Sequence, residues 1–386
     1  MGNIKIAFLS EHSPWDKQVS SGTNFKIAQS LEKIGILEWI SINKRSVVRP
    51  IRFFLKSMFG IFGKRLDVYH FKLGAKISYE PIDIKALEKF DVICAFFCMQ
   101  NIYDIKTNKP IVYFSDATFP AMIDYYPSFT NLPGFNKHQG CEMERAACLN
   151  SAAIIYSSDW AANSAIKDLG IPREKIHIIE YGANLDDKDI NGEEKVYKEP
   201  LNLLFLGVDW QRKGGKIAAD ATIWLNKNGI KANLHIIGLN SIPSEYSDKD
   251  CIKVHGFLNK NKEKDYIKLT KLIQESHCLL LPTVAECSAI AFAEASANGL
   301  PIFTHDTGGI SNYVSNGVNG YMLPLGSSGE DFGKIIKDCY QSGKLPLLSQ
   351  SAQKLYRTKL NWGVWKDKVE QVIKGLVNQD QNEALY

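Results

Sequence analysis

The sequence predicts an α/β protein built from two βαβ domains, each a parallel sheet covered by helices. Three observations predict it. The chain has 386 residues, more than one core usually fills, since single cores stop growing at about 250–300 residues. Short apolar runs alternate with longer stretches of helical periodicity, which is the pattern of parallel sheets. The alternation stops at the charged segment "DDKDINGEEKVYKEP" (186–200), closed by Pro200, and then restarts.

Taken in order, Ile4–Leu9 is a compact apolar run and predicts a buried strand, followed by an amphipathic helix over Gly22–Ile34. Val92–Phe97, Ile111–Phe114 and Ala153–Tyr156 are further strand candidates bounded by polar residues. Beyond the charged segment come strand Leu201–Leu206, a helix from about Gly215, strand Ala232–Ile237 and a helix near Lys264–Glu275. Strand Cys278–Leu281, a helix near Ser288–Asn298 and strand Pro301–Thr304 complete the pattern. From Trp362, the residues Trp365, Val369, Val372 and Leu376 recur at helical spacing. The expected division is a first domain over 1–190, a linker over 191–200, a second domain over 201–361 and a C-terminal helix over 362–386. That helix either closes the second domain or crosses back to the first.

Composition narrows the class of function. A hydrophobic fraction of 45% and a charged fraction of 23% are those of an ordinary globular protein. Net charge is +4, too small to argue for nucleic acid. The eight cysteines are scattered, with no close Cys-x-x-Cys pair, so neither a zinc nor a redox site is expected. Reduced thiols and a cytoplasmic location are the simplest expectation. The start "MGNIKIAFLS" lacks the layout of a signal peptide, and Ile6 argues against a myristoylation site. No run approaches the roughly 20 apolar residues that span a bilayer. Phosphate-loop, dinucleotide, zinc-protease and nucleophile-elbow motifs are missing from the sequence. The Asp-x-Asp pairs at Asp187–Asp189 and Asp248–Asp250 lie in charged loops and read as solvated, so no metal site and no cofactor are expected.

Ligands of open parallel sheets bind beyond the carboxyl ends of the strands. Three loops there suit an anion. "LGVDWQRKGG" (206–215) leaves a strand, passes Arg212 and Lys213 and enters a helix after two glycines. "HDTGGISNYV" (305–314) holds Gly308 and Gly309, and "SSGTNF" (20–25) holds Gly22 at a helix start. Between the first two lies "AECSAIAFAEA" (285–295), which keeps two acids, Glu286 and Glu294, in an otherwise small uncharged stretch. Eight positions on one helix separate side chains by about 12 Å of rise and about 80° of rotation. With Glu286 in a loop and Glu294 inside the helix, the two acids reach different parts of one extended ligand. Carboxylates that accept paired hydrogen bonds suit the vicinal diols of a ribose or hexose.

With these parts placed, the C-terminal half resembles the retaining glycosyltransferases of family 4, which have the two-domain GT-B fold. The resemblance rests on "FLGVDWQRKGG", "VHGFLNKN", "LLLPTVAECSAIAFAEASANGLPIFTHDTGGISNYVSNGVNGYMLP" and, earlier, "IIYSSDWAANSAIKDLGIPREKIHIIEYGAN". It is ordered along the chain from Ile154 to Pro324; "SGTNFKIAQSLEKIG" matches more loosely. The resemblance implies two Rossmann-like domains facing an interdomain cleft. It also implies a metal-independent retaining hexosyltransferase that moves a sugar from a nucleotide diphosphate to a hydroxyl. The acceptor would be a saccharide or lipid-linked saccharide in bacterial surface-polysaccharide or glycoconjugate synthesis. Glu294 would hold the ribose hydroxyls and Glu286 the transferred sugar, while Lys213, with Arg212, would face the diphosphate. Gly207, Gly214, Ser288, Ala289, Ile290, Gly308 and Gly309 would complete the donor site. Two positions depart from the family pattern: Val208 stands where an arginine is usual, and Ala289 where a glycine is usual. A nucleotide-sugar epimerase or hydrolase of the same fold, or a catalytically silent sugar-nucleotide-binding subunit, are the rival readings.

The first domain is expected to take the acceptor, through Ser21, Gly22, Thr23, Asp116 and Thr118. Asp116 follows a strand in "VYFSDATFPAMIDYYPSF" (112–129) and either orients an acceptor hydroxyl or caps the next turn. The segment "KRSVVRPIRFFLKSMFGIFGKR" (44–65) carries seven basic residues and no acid. Ile51, Phe54, Leu55, Met58, Phe59 and Phe62 form an apolar stripe about 140° wide on a helix, with Pro50 in its first turn. Two readings stay open. The stripe lies in an anionic membrane interface, at the inner face of the cell membrane. Alternatively it packs on the domain's own sheet and leaves the bases to a phosphorylated acceptor.

Overall fold

The computed structural model describes residues 4–190, 192–288 and 290–383. Its contacts divide the chain into two compact units. The first takes the chain up to Val19, Thr23–Ile179 and the residues from Lys366 onward; the second takes Ser20–Gly22 and Glu180–Trp365.

The first unit holds a six-stranded parallel sheet. Its strands are β1 (Lys5–Ser10), β2 (Ile36–Ser41), β3 (Val92–Phe96), β4 (Ile111–Ser115), β5 (Ala153–Tyr156) and β6 (Ile176–Ile178). The spatial order is β2-β1-β3-β4-β5-β6, so the order reverses between β1 and β3. β3, β4 and β5 are buried along their whole length, which is why they read as unbroken apolar runs. Helix α1 (Thr23–Glu32) follows β1, α2 (Arg49–Ile61) follows β2, and α3 (Gly134–Asn150) packs Met143, Ala147 and Cys148 into the core.

The apolar stripe of α2 does not pack on the sheet, and this overturns the internal-packing reading. None of the helix's residues is buried: of the stripe, Phe54 is 66% exposed, Ile51 50% and Met58 38%, while Leu55 and Phe59 are half-buried. The core of this unit is filled by side chains of other segments, and no residue of α2 belongs to it. Pro50 lies in the first turn, as its missing N–H allows.

The second unit holds a second six-stranded parallel sheet. Its strands are β7 (Leu201–Leu206), β8 (Ala232–Ile237), β9 (Ile252–Val254), β10 (Cys278–Leu281), β11 (Ile302–His305) and β12 (Gly320–Leu323). The order is β12-β11-β10-β7-β8-β9, so β7 and β10 are neighbours across the point where the winding reverses. Helices α4 (Gly215–Lys227), α5 (Glu263–Glu275), α6 (Ile290–Ala297) and α7 (Gly329–Gln341) cover the sheet. α6 is built from small residues and is almost wholly buried. Helix α8 (Trp362–Glu383) begins in this unit, where Trp365 is fully buried. Both sheets are of the α/β parallel type that the sequence predicts. Among the described residues no helix is long and apolar enough to cross a membrane.

Candidate functional site

The site in the second unit grows from three adjacent strands. β7, β10 and β11 lie side by side, so the loops leaving their carboxyl ends must meet. Two hydrogen bonds to one carbonyl lock the first pair: Val284 N–H donates to Arg212 O at 2.8 Å, and the Thr283 hydroxyl donates to it at 3.2 Å. Gly309 N–H, from the loop after β11, donates to Glu286 O at 3.0 Å.

Glycines set the close approaches. Gly214 has φ +73°, a left-handed value that favours glycine, and a Cβ there would stand 2.0 Å from Pro282 O. It precedes α4, so the turn from Lys213 into that helix passes directly over the β10 loop. Gly207 is small for a different reason: a Cβ there would lie 2.8 Å from Lys213 Cγ. The lysine stem therefore passes over Gly207 and carries its ammonium to Glu286, with which it forms an ion pair. Both side chains are nearly buried, at 13% and 9% exposure. Arg212 donates from Nη1 to Ala285 O at 3.1 Å and lies 3.9 Å from Asp209.

Glu286 lies in the loop between β10 and α6, whereas Glu294 lies inside α6. Glu294 Oε1 accepts from Lys260 Nζ at 2.6 Å, and its side chain is only 3% exposed. Ser288 precedes α6, with its carbonyl accepting from Ile290 N–H at 3.2 Å, and Ile290 is the first helical residue. Gly308 takes a left-handed φ of +57° in the loop after β11. Val208 is 63% exposed. Ala289 lies outside the described residues. The structure thus gathers Arg212, Lys213, Gly207, Gly214, Glu286, Gly308 and Gly309 on three neighbouring loops.

The acceptor-side candidates are less concentrated. Ser21 has φ +57°, and its carbonyl accepts from Asn184 Nδ2 at 3.1 Å and from Lys260 Nζ at 3.3 Å. Gly22 and Thr23 are buried. Thr118 is 1% exposed and committed to packing: it caps the short helix Phe119–Met122 by accepting from Ala121 N–H, and it shares a 2.6 Å hydrogen bond with Ser164. The N-cap of that helix is Thr118, and Asp116 lies half-buried just after β4.

Sequence reasoning missed a second polar group, at the carboxyl ends of β1 and β3 where the order of the first sheet reverses. Glu11, just past β1, pairs with Lys44 and accepts from Tyr79 Oη at 3.3 Å. Lys44 also lies over the Tyr69 ring, 4.5 Å from its centroid. His70 Nδ1 meets Asp67 Oδ2 at 2.8 Å, and Nε2 faces Gln100, just past β3, at 3.4 Å. The imidazole stacks on Phe119 with centroids 4.2 Å apart. Burial acts against the charge of Asp67, but the hydrogen bond and charge of His70 outweigh it and lower the carboxyl pKa. Behind them Glu144 is fully buried, bonded to Tyr113 Oη at 3.2 Å, and desolvation pushes its pKa up to about 7. Phe97, just past β3, holds a left-handed φ of +49°, a strained value for a large residue. The sequence offered a faint signal here: Asp-x-x-His in a loop, with aromatics around it.

Comparison with known proteins adds the following. Residues 186–354 match the family model described as glycosyl transferases group 1. A curated relative, the amylovoran biosynthesis glycosyltransferase AmsK of Erwinia amylovora, is 24% identical over 173 residues, covering 42% of this chain and 41% of the relative. The α-D-kanosaminyltransferase of Streptomyces kanamyceticus is 23% identical over 196 residues, covering 47% of this chain and 49% of that protein. The chain spans about half the length of the curated relatives it matches. Among solved structures, the lipopolysaccharide glycosyltransferase WaaG superposes over 96% of this chain and all of its own, with TM-score 0.64 and 15% identity. HepE of Anabaena, solved with UDP-glucose, superposes over the same shares with TM-score 0.63 and 15% identity. These superpositions establish the fold as that of the GT-B glycosyltransferases.

Proposed function

We propose that the chain is a retaining glycosyltransferase that moves a sugar from a nucleotide diphosphate to a hydroxyl of a saccharide or lipid-linked saccharide. The observation that carries the reading is the meeting of Arg212 and Lys213, on the glycine loop after β7, with Glu286, on the loop after the adjacent β10, with Glu294 set one turn into α6. Cations beside glycine-built helix starts suit a diphosphate, and buried carboxylates suit sugar hydroxyls. The family match over 186–354 supports the donor half of this reading. A relative named for amylovoran biosynthesis and another for colanic acid biosynthesis support a role in bacterial surface polysaccharide synthesis.

The chemistry follows from charge. The bond from the anomeric carbon to the diphosphate oxygen breaks, and the bond to the acceptor oxygen forms on the same face. The acceptor proton passes to the departing phosphate oxygen, so no protein nucleophile is required. Negative charge grows on the leaving group, where Lys213 and Arg212 stabilise it. An incoming diphosphate draws the Lys213 ammonium toward itself, which leaves the Glu286 carboxylate to accept from the transferred sugar. Glu294 accepts from the ribose hydroxyls. Incubation with UDP-, GDP- and ADP-sugars, read by mass spectrometry of hydrolysis and transfer products, tests this. Turnover that collapses in Glu286→Ala is expected; undiminished turnover in that variant refutes the assignment.

The acceptor side includes an anionic membrane surface, met by α2. Ile51, Phe53, Phe54, Met58 and Ile61 stand exposed, and Arg45, Arg49, Arg52, Lys56, Lys64 and Arg65 surround them with no acid between positions 44 and 65. Seating Phe53 and Phe54 in the interface contributes roughly 2 kcal/mol each. Flotation with vesicles containing phosphatidylglycerol at low salt is expected, and Phe53→Ser with Phe54→Ser should abolish it. A wild-type chain that stays in the bottom fraction removes membrane contact from the reading.

A further inference from the structure

Lys260 lies in the loop between β9 and α5, within the stretch "VHGFLNKN" but outside the residues expected to form the donor site. The loop is tightly built: Asn259 Oδ1 accepts from Asn261 N–H at 2.8 Å, and Asn259 N–H donates to Asp265 Oδ2 at 3.1 Å. From it the Lys260 ammonium reaches inward to three acceptors, Glu294 Oε1 at 2.6 Å and the carbonyls of Ser21 and Asn184 at 3.3 Å each. An ammonium has three N–H donors, so this one is fully used. The pair is deep, with Lys260 14% and Glu294 3% exposed.

The two lysine–glutamate pairs of this unit must respond differently to a ligand. A diphosphate is anionic and can draw Lys213 from Glu286. A ribose diol is neutral and cannot replace the ammonium beside Glu294; removing one partner of a buried ion pair leaves an uncompensated charge, which is strongly unfavourable. Glu294 has room for both. A carboxylate offers about four lone-pair sites, and Lys260 occupies one on Oε1.

We propose that Lys260 is a positioning residue of the nucleoside subsite: it stays paired with Glu294 and fixes the carboxylate's remaining lone pairs toward the ribose hydroxyls. The inference rests on the donor reading above. It makes Lys260 a determinant of the preference for ribonucleotides over their 2′-deoxy forms.

Isothermal titration of the full chain with UDP, GDP and ADP, then with the 2′-deoxy form of whichever binds, tests it. The wild type is expected to bind the ribonucleotide more tightly. Lys260→Met should weaken that binding by about 10-fold or more, the scale of a lost charge-assisted hydrogen bond, while binding of the deoxy form changes much less. Lys260→Arg should restore most of the discrimination, and this variant answers the case in which Lys260→Met fails to fold. Equal weakening of both forms would make Lys260 a structural support and overturn the proposal, as would unchanged discrimination. A wild-type chain that binds none of the three overturns the donor reading itself.

Discussion

Replacing Gly214 by alanine separates two costs that glycine hides. The first is backbone strain, since φ +73° is a left-handed conformation that costs an L-residue about 1–2 kcal/mol. The second is contact. The new methyl would stand 2.0 Å from Pro282 O and 2.7 Å from Pro282 C, backbone atoms that cannot rotate away. Overpacking of this kind adds about 1–3 kcal/mol. Gly229 is the internal control, with φ +86° and nothing within 4 Å of an added Cβ, so alanine there meets the strain alone. At roughly 2–4 °C per kcal/mol for a unit of this size, Gly229→Ala should lower Tm by about 2–8 °C and Gly214→Ala by about 4–20 °C. Differential scanning calorimetry, following the transition that nucleotide shifts, measures both. Gly214→Ala should also weaken nucleotide binding, because relief of the clash moves Lys213 off the β10 loop; Gly229→Ala should not. Equal Tm losses in the two variants would refute the claim that the loops after β7 and β10 are in forced contact.

Three further outcomes follow from the buried charges. Glu286→Gln should tighten binding of UDP or the corresponding diphosphate about 3–10-fold by removing the competitor for Lys213, while abolishing transfer. Glu294→Gln should weaken the same binding about 10-fold, and titration calorimetry of both variants decides whether the signs are opposite. Glu144 governs a pH window. Its folded pKa of about 7 lies above the ordinary glutamate value of 4.5, so the folded state binds the extra proton between these values. Stability of the first unit should therefore fall as pH rises from about 4.5 to 7, by about 3 kcal/mol in all, and level off above it. Glu144→Gln, which keeps an acceptor for Tyr113 Oη, should flatten that slope in urea melts at pH 5 and 8; an unchanged slope would show that Glu144 does not carry it.

The legible part of the fold was the part whose physics is local. β5, β7, β8 and β10 read correctly from end to end: β5 and β10 are unbroken buried apolar runs, and in β7 and β8 the apolar residues outnumber the half-buried polar ones, Asn202, Asn233 and His235. β2 was not readable: as an edge strand it is half-exposed, and "ILEWIS" looks like neither a run nor a clean alternation. β9 and β12 are also edge strands, too short to show a period. For α2 the period gave the helix and its stripe, but not which way the stripe faces. That depends on whether other segments have already filled the core, which no local pattern encodes. The same limit applies to the site. Lys213 and Glu286 are 73 positions apart, and only the adjacency of β7 and β10 brings them together. Lys260 lies in "VHGFLNKN", which gives no hint of its role, and its partner lies 34 positions away.

The two acids of "AECSAIAFAEA" look alike in sequence and meet the same kind of partner in the structure, yet the opposite signs expected of their variants follow from where each lies. Glu286 sits in a loop bordered by Arg212 and the glycines of two neighbouring loops, so an arriving anion finds cations already in place. There the lysine–glutamate pair is a ground state that ligand binding disrupts, and the acid opposes binding before it assists chemistry. Glu294 sits within a buried helix of small residues, where a charge left alone would be costly and a neutral diol offers no compensation. Its lysine must remain, and the acid favours binding throughout. One Glu-x7-Glu motif thus combines a carboxylate that a ligand releases with one that a lysine retains, a distinction set by the ligand's charge at each end.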